Sequence, residues 1–294
     1  MTEKKKKASI SGVVVNIFLA LGALACLAPI MNIVAISLSE TSAAATGSVY
    51  FWPKEFTLAS YDKLITEGTF GRSFMISVLR VIVGTCITIP LTVLMAFPLS
   101  KDKKVFRERN IIMWFAVITM LFSGGLIPTY ITVQTYGLID KFWALVLPGA
   151  LNVFNMILMM NFFRGIPKEL DESASMDGAG VWRILLQIYL PVSMPSLVTI
   201  VLFTVVNYWN DFFAGMIYIN NPDNYPLQTY IRSLTVEIDF TSITDPKELI
   251  ERLKVSSITF NAAKIVVSMI PILLIYPFLQ RYFVTGIVMG AVKE

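Results

Sequence analysis

The chain has 294 residues, of which 55% are hydrophobic and 15% charged, with a net charge of +4 and a mean hydropathy of +0.68. A water-soluble domain carries roughly a quarter charged residues, so this composition excludes one and implies an integral membrane protein. Histidine is absent, which removes the commonest metal ligand and the usual general base.

Lys4–Lys7 precedes an apolar run over 12–38, which is too long for the core of a cleaved signal and long enough to cross a bilayer. It reads as an uncleaved first span. Residues 39–72 are mixed and polar. The second span covers 73–99 and is followed at once by Lys101, Lys103, Lys104, Arg107 and Arg109. The third span, 111–133, is interrupted by Gly124, Gly125 and Pro128, and the fourth covers 142–163. A polar stretch, 167–191, separates it from the fifth span, 192–219. A second polar stretch, 220–259, leads to the sixth span, 260–284, and a short tail. Prolines within these spans are tolerated where neighbouring helices satisfy the freed carbonyls. The expected fold class is therefore all-α: a polytopic membrane protein with six transmembrane helices in one domain, 1–294.

Six spans put both termini on one side, together with Lys4–Lys7, Lys101–Arg109 and Arg164–Arg183. The positive-inside rule makes that side the cytoplasm of a cell-membrane protein. Segments 39–72 and 220–259 then lie outside, and 167–191 lies inside. Cys26 and Cys86 both sit in apolar runs and read as small buried residues, with neither a disulfide nor a metal site. No Gly-x-x-x-x-Gly-Lys-Ser/Thr loop occurs, so the chain does not bind ATP by that route.

The stretch Pro167–Pro191 is too patterned for a passive connection. Pro167 suits a helix start, and Glu169, Asp171 and Glu172 favour the positive end of that helix dipole. Gly178 and Gly180 allow a turn, Val181–Leu190 restarts as a short amphipathic helix, and Pro191 opens the next span. Ala174 and Met176 are expected on an exposed face that invites a partner groove.

The order is Glu172-Ser173-Ala174, then Asp177-Gly178, then nine residues, then Ile188-Tyr189-Leu190-Pro191. This resembles the EAA loop of permease subunits in ATP-binding-cassette importers, with Ser173 in place of the second position's alanine. Phe51-Trp52-Pro53 with Phe56, Thr57, Leu58 and Tyr61, then Pro98-Leu99-Ser100 and Trp209-Asn210-Asp211, resemble the maltose-transporter-type carbohydrate permeases. The tail from Gln280 to Lys293 is similar to that of the six-helix partner in that heterodimer. Phe122–Tyr130 and the long 220–259 loop are similar to the complex-oligosaccharide subgroup.

The resemblance implies a type I ABC importer permease fold and a mechanical role. The helix around Glu172, Ala174, Asp177, Gly178 and Ala179 would dock on an ATPase subunit, with Glu172 paired to a basic residue there. ATP and magnesium would sit on that ATPase, and no cofactor on this chain. The implied partners are a second permease subunit, an ATPase dimer, an extracellular substrate-binding protein and the bilayer, with no nucleic acid. The function it implies is translocation of a carbohydrate, an oligosaccharide, delivered by the binding protein. Without the resemblance, the loop also reads as an amphipathic linker on lipid, and the chain as a secondary active transporter of a small polar solute.

On the fifth span, Thr204, Asn207, Asn210 and Asp211 recur at helical spacing and are expected to share one face, flanked by Tyr208, Trp209 and Phe212. Amides, a carboxylate and flat rings suit sugar hydroxyls and apolar sugar faces, which marks Asn207, Tyr208, Trp209, Asn210 and Asp211 as a candidate substrate path. The same residues also suit helix bridging and an aromatic belt. Arg80, inside the second span, suits a cavity, a partner or the outer headgroups. Lys264 and Arg281 near the ends of the sixth span are expected to snorkel. Met156, Met159 and Met160 read as helix packing.

Overall fold

The computed structural model describes residues 10–66, 68–234 and 258–291, with side chains over 14–66, 68–233, 258–275 and at 277. Among them every regular element is helical. The order is α1 Ile10–Ser37, α2 Thr41–Ala45, α3 Ala59–Thr66, α4 Gly68–Ser100, α5 Arg109–Leu121, α6 Leu126–Thr135, α7 Val153–Arg164, α8 Lys168–Met176, α9 Val181–Ile184, α10 Leu190–Val192, α11 Met194–Asn210, α12 Phe213–Tyr218, α13 Leu227–Leu234 and α14 Ile258–Ala291. Lys4–Lys7, residues 235–257 of the 220–259 stretch and the Arg281 side chain lie outside the described part.

Val14–Ser37, Gly68–Ser100 and Ile258–Ile275 are each long and apolar enough to cross a membrane. Three bent pairs pass the same test: α5 with α6 at 114°, Phe142–Gly149 with α7 at 47°, and Val181–Val192 with α11 at 82°. Counting one crossing for each pair makes up to six, and in the last pair Val181–Val192, bent 82° away from α11, falls in the 167–191 hairpin.

The breaks have local causes. Between α5 and α6, Gly125 takes φ +88°, a conformation that favours glycine, and the helix restarts with Pro128 in its first turn. The third span is therefore a sharply broken pair instead of the continuous helix expected over 111–133. Before α7 the chain runs in 3-10 turns over Phe142–Leu145 and Leu147–Gly149, and Asn152 caps α7 by accepting from the Asn155 N–H at 3.1 Å. Pro191 falls inside α10 and does not open the fifth span. The bend comes at Ser193, and α11 begins with Pro195 in its first turn. Leu185–Tyr189 adopts a π-helical register just before Pro191, whose ring has no N–H for the usual bond to Gln187.

The chain packs as two units. The first comprises 1–68 and 234–270. Within it Asn32 donates to the Val49 and Tyr50 carbonyls at 3.1 and 2.8 Å, and Ser37 meets the Tyr61 hydroxyl at 2.8 Å. Lys264 is 1% exposed, with its ammonium 3.9 Å from the centre of the Phe260 ring. It does not snorkel: it is buried, with its ammonium over the ring face.

The second unit comprises 69–233 and 271–294. Its spine is α4, which buries Ser73, Ser77, Arg80, Gly84, Thr88, Thr92 and Ala96 along one stripe. Small residues at three- and four-residue spacing let other helices approach closely. Around the lower half of that stripe Phe97, Met156, Met159, Met160, Phe163, Tyr189 and Ile200 form a common core, so the methionines are indeed packing residues.

Candidate functional site

The hairpin over 167–191 is built from its ends inward. Pro167 leads into α8, and Glu169 and Asp171 occupy the first turn. The helix stops because Gly178 takes φ +76°, while Gly178 N–H donates to Ser175 O at 3.1 Å and Ala179 N–H to Ala174 O at 2.9 Å. A Cβ at Gly178 meets no atom within 4 Å, so the left-handed backbone, and not lack of space, demands glycine there.

This turn sorts the side chains. Glu172, Ser173, Asp177 and Met176, the last 88% exposed, point away from the protein. Ala174 and Ala179 are half-buried and pack against the core formed by Phe97, Phe163 and Tyr189. Ala174 was expected outside with Met176; the structure turns it inward, because a small side chain lets α8 lie close on the bundle.

Beneath α8 lies a polar contact that no spacing announces. Lys101, just past α4, pairs with the Asp171 carboxylate and donates to the Tyr189 hydroxyl at 2.9 Å. Tyr189 in turn donates to the same Asp171 oxygen at 3.1 Å. The Lys101 ammonium sits 4.4 Å from the Phe97 ring centre and 4.1 Å from that of Tyr189. Tyr189 meets Phe97 and Phe163 edge to face at 4.9 and 5.4 Å. Burial, reinforced by the adjacent Asp171 carboxylate, pushes the Tyr189 phenol well above its ordinary range, so it remains a donor. Outside this trio the exposed Lys168 and Asp102 also pair; the hydrogen bond between them lowers the Asp102 carboxyl and raises the Lys168 ammonium. An open groove of about 1000 Å³ runs between these elements, lined by Lys101, Arg164, Asp171, Glu172, Val181 and Tyr189.

The fifth-span candidates do not share one face. Thr204 is buried and bonds back to Ile200 O at 2.8 Å. Tyr208 and Trp209 also point into the bundle: the Tyr208 hydroxyl meets Thr88 at 3.1 Å, and Trp209 meets Phe74 edge to face at 5.7 Å. Asp211 leaves the helix altogether, with ψ 110°, and caps α12 by accepting from Phe213 and Ala214 N–H at 2.9 and 3.2 Å. Its other oxygen pairs with Arg80. Asn207 and Asn210 alone remain exposed on one side of α11, together with Phe203.

Residues 6–288 match the family of binding-protein-dependent transport system inner membrane components. The chain belongs to that family. It is therefore a multi-pass membrane component of a transport system and not a secondary active transporter. Protein LplC of Bacillus subtilis is 39% identical over 90% of this chain and 88% of its own length. The polygalacturonan/rhamnogalacturonan transport system permease protein YtcP of the same organism is 36% identical over 94% of this chain and 96% of its own. A solved bacterial ABC transporter involved in import of the acidic polysaccharide alginate contains a chain that is 30% identical, with a TM-score of 0.83, covering 96% of this chain and 100% of that one.

Sequence reasoning about this family member missed Lys101 and Tyr189, and it had no way to pair Arg80 with Asp211. The basic run after α4 disguised Lys101 among residues that set topology. Tyr189 stands at the variable position of the Ile-x-Leu-Pro motif.

Proposed function

We propose that this chain is one of two permease subunits of an ATP-driven importer that moves an oligosaccharide handed over by an extracellular binding protein. The observation that carries the reading is the end-to-end likeness to the alginate importer chain, at a TM-score of 0.83. YtcP and that importer are both named for uronic-acid polymers, so oligosaccharides containing uronate are the first substrates to test.

In this reading α8 is the coupling helix. Its outward face, Glu172 with Met176 and Asp177, docks on a separate ATPase dimer that holds ATP and magnesium. Ala174 and Ala179 form its inward face, and Gly178 sets the turn between the two. Both termini and the hairpin lie in the cytoplasm, and 39–72 and 220–259 lie outside. Asn207 and Asn210 are the fifth-span residues that face the sugar path, since Tyr208, Trp209 and Asp211 are engaged within the bundle.

Affinity purification of the tagged chain from its native host tests the assembly: an ATPase carrying a phosphate loop and a second permease should copurify. Stimulation of that complex's ATP hydrolysis by binding protein loaded with oligogalacturonide tests the substrate. Single cysteines at Met176 and Trp52, introduced with Cys26 and Cys86 replaced, should label from opposite sides with an impermeant maleimide. Labelling of both from outside rejects the topology.

A further inference from the structure

A coupling helix acts only if its motion reaches the spans. Helix α8 has nine residues, and among the described residues its exposed side chains make one ion pair to another element, Lys168 with the exposed Asp102. Its inward contacts are of two kinds. Ala174 and Ala179 touch the core with single methyl groups, which slide easily. Asp171, by contrast, is held by a cation and a hydroxyl from two different elements.

We infer that Lys101, Asp171 and Tyr189 form the latch that makes α8, the end of α4 and the π-turn before Pro191 move as one body. The inference rests on the coupling-helix reading of α8. Four features suit the trio to this role. Each member contacts both others, so displacing one strains two bonds at once. The Lys101 side chain is 16% and the Asp171 side chain 25% exposed, which limits competition from water, and Tyr189 is 4% exposed. The two rings that flank the ammonium belong to the core, Phe97 on α4 and Tyr189 below α8, so the cation is gripped by the spans it serves. Arg109 donates to the Lys101 carbonyl at 3.2 Å and Arg164 to the Leu99 carbonyl at 3.2 Å, which fixes the backbone on which Lys101 stands. The exposed Lys168–Asp102 pair, open to water and salt, is no such anchor.

These are positioning residues; none need touch sugar or nucleotide. The test uses the whole importer complex, with Cys26 and Cys86 replaced and spin labels at Leu94 on α4 and at Glu169 on α8, outside the face named for docking. In the wild type the distance distribution between the labels should stay narrow and unchanged when magnesium and a non-hydrolysable ATP analogue are added. In Asp171→Asn and Lys101→Met it should broaden or shift on adding the analogue, and binding-protein stimulation of ATP hydrolysis should fall by roughly tenfold. Lys101→Arg, which keeps a cation between the rings, should retain the narrow distribution. Lys101→Met combined with Asp171→Asn should be no worse than either alone, as expected for one shared interaction. Tyr189→Phe removes a single hydroxyl and carries the test if a charge variant fails to insert.

The inference is overturned if the distribution stays narrow in the variants, if the two substitutions add, or if the ATPase no longer copurifies, since the latch acts after docking. A wild-type complex without an ATPase would instead defeat the coupling-helix reading itself.

Discussion

Arg80 and Asp211 lie 131 positions apart and meet inside the second unit, where the guanidinium donates to the Asp211 carboxylate and, at 2.8 Å, to its backbone carbonyl. Arg80 also donates to Leu145 O at 2.9 Å and is 2% exposed. A single arginine thus ties α4 to the 3-10 turn before α7 and to the break between α11 and α12. Within a membrane segment such a charge is costly unless it is paired, and here each of the three guanidinium nitrogens has an acceptor, two carbonyls and a carboxylate. Asp211 is consequently occupied on both oxygens, one by Arg80 and one by the α12 cap.

Asp211→Ala should therefore be a stability defect first. It leaves a buried guanidinium without its counter-charge and uncaps α12, a loss of about 3–5 kcal/mol for a buried pair. Asp211→Asn keeps a single side-chain oxygen, which can serve the α12 cap or Arg80 but not both, and should lose less than alanine. Thermal unfolding of the detergent-purified complex should rank wild type above Asp211→Asn and that above Asp211→Ala, with sugar preference unchanged in whatever assembles. A changed sugar preference at normal stability would instead place Asp211 on the substrate path.

Asn207→Ala and Asn210→Ala should behave in the opposite way. Both side chains are exposed, so assembly should shift by no more than about 0.5 kcal/mol. Apparent affinity for transported oligogalacturonide should weaken in at least one of them. Wild-type uptake kinetics in both would remove α11 from the path.

Gly84 is a packing glycine. A Cβ built there lies 2.6 Å from the Tyr208 ring. That ring cannot swing aside cheaply, because its hydroxyl bonds Thr88 at 3.1 Å and Val146 O at 3.3 Å. Gly84→Ala should cost about 1–3 kcal/mol. Gly71→Ala, where a Cβ meets nothing within 4 Å, serves as the control and should be tolerated. Equal melting temperatures for the two variants would contradict the close approach.

Gly178→Ala tests conformation without crowding. The site has room but φ is +76°, so the penalty should be about 1–2 kcal/mol, with asparagine penalised less. ATP-driven uptake should fall in the order glycine, asparagine, alanine. An alanine variant that outperforms asparagine would show that side-chain bulk at the docking face matters more than backbone strain.

The trio also predicts a pH response. Because the Tyr189 phenol is raised above its ordinary value of 10.0, mainly by burial, its proton is bound more tightly in the folded protein. The stability it contributes is fully present below about pH 10 and is lost progressively as pH rises above that, as the unfolded chain ionises first. The melting-temperature gap between wild type and Tyr189→Phe should narrow as pH rises beyond about 10. A gap that stays constant across that range would mean that the folded protein does not hold the phenol proton more tightly than the unfolded chain.

The all-α membrane class was legible in the sequence because it depends on quantities local to each stretch. Apolar length sets a crossing, basic clusters bias orientation, and glycines and prolines mark breaks, so the hairpin over 167–191 and its turn at Gly178 could be placed without coordinates. The same locality explains the misses. Periodicity placed Thr204, Asn207, Asn210 and Asp211 on one ideal helix, but the helix ends at Asn210 and Asp211 turns to meet Arg80. Lys264 looked like a snorkelling lysine until Phe260 and burial held it inside. Lys101, Asp171 and Tyr189 are separated by 70 and 88 positions from the lysine, and no pattern along the chain links them. Which charge meets which is a property of helices brought side by side, where desolvation compels each buried ion to find a partner, and only the tertiary structure decides that choice.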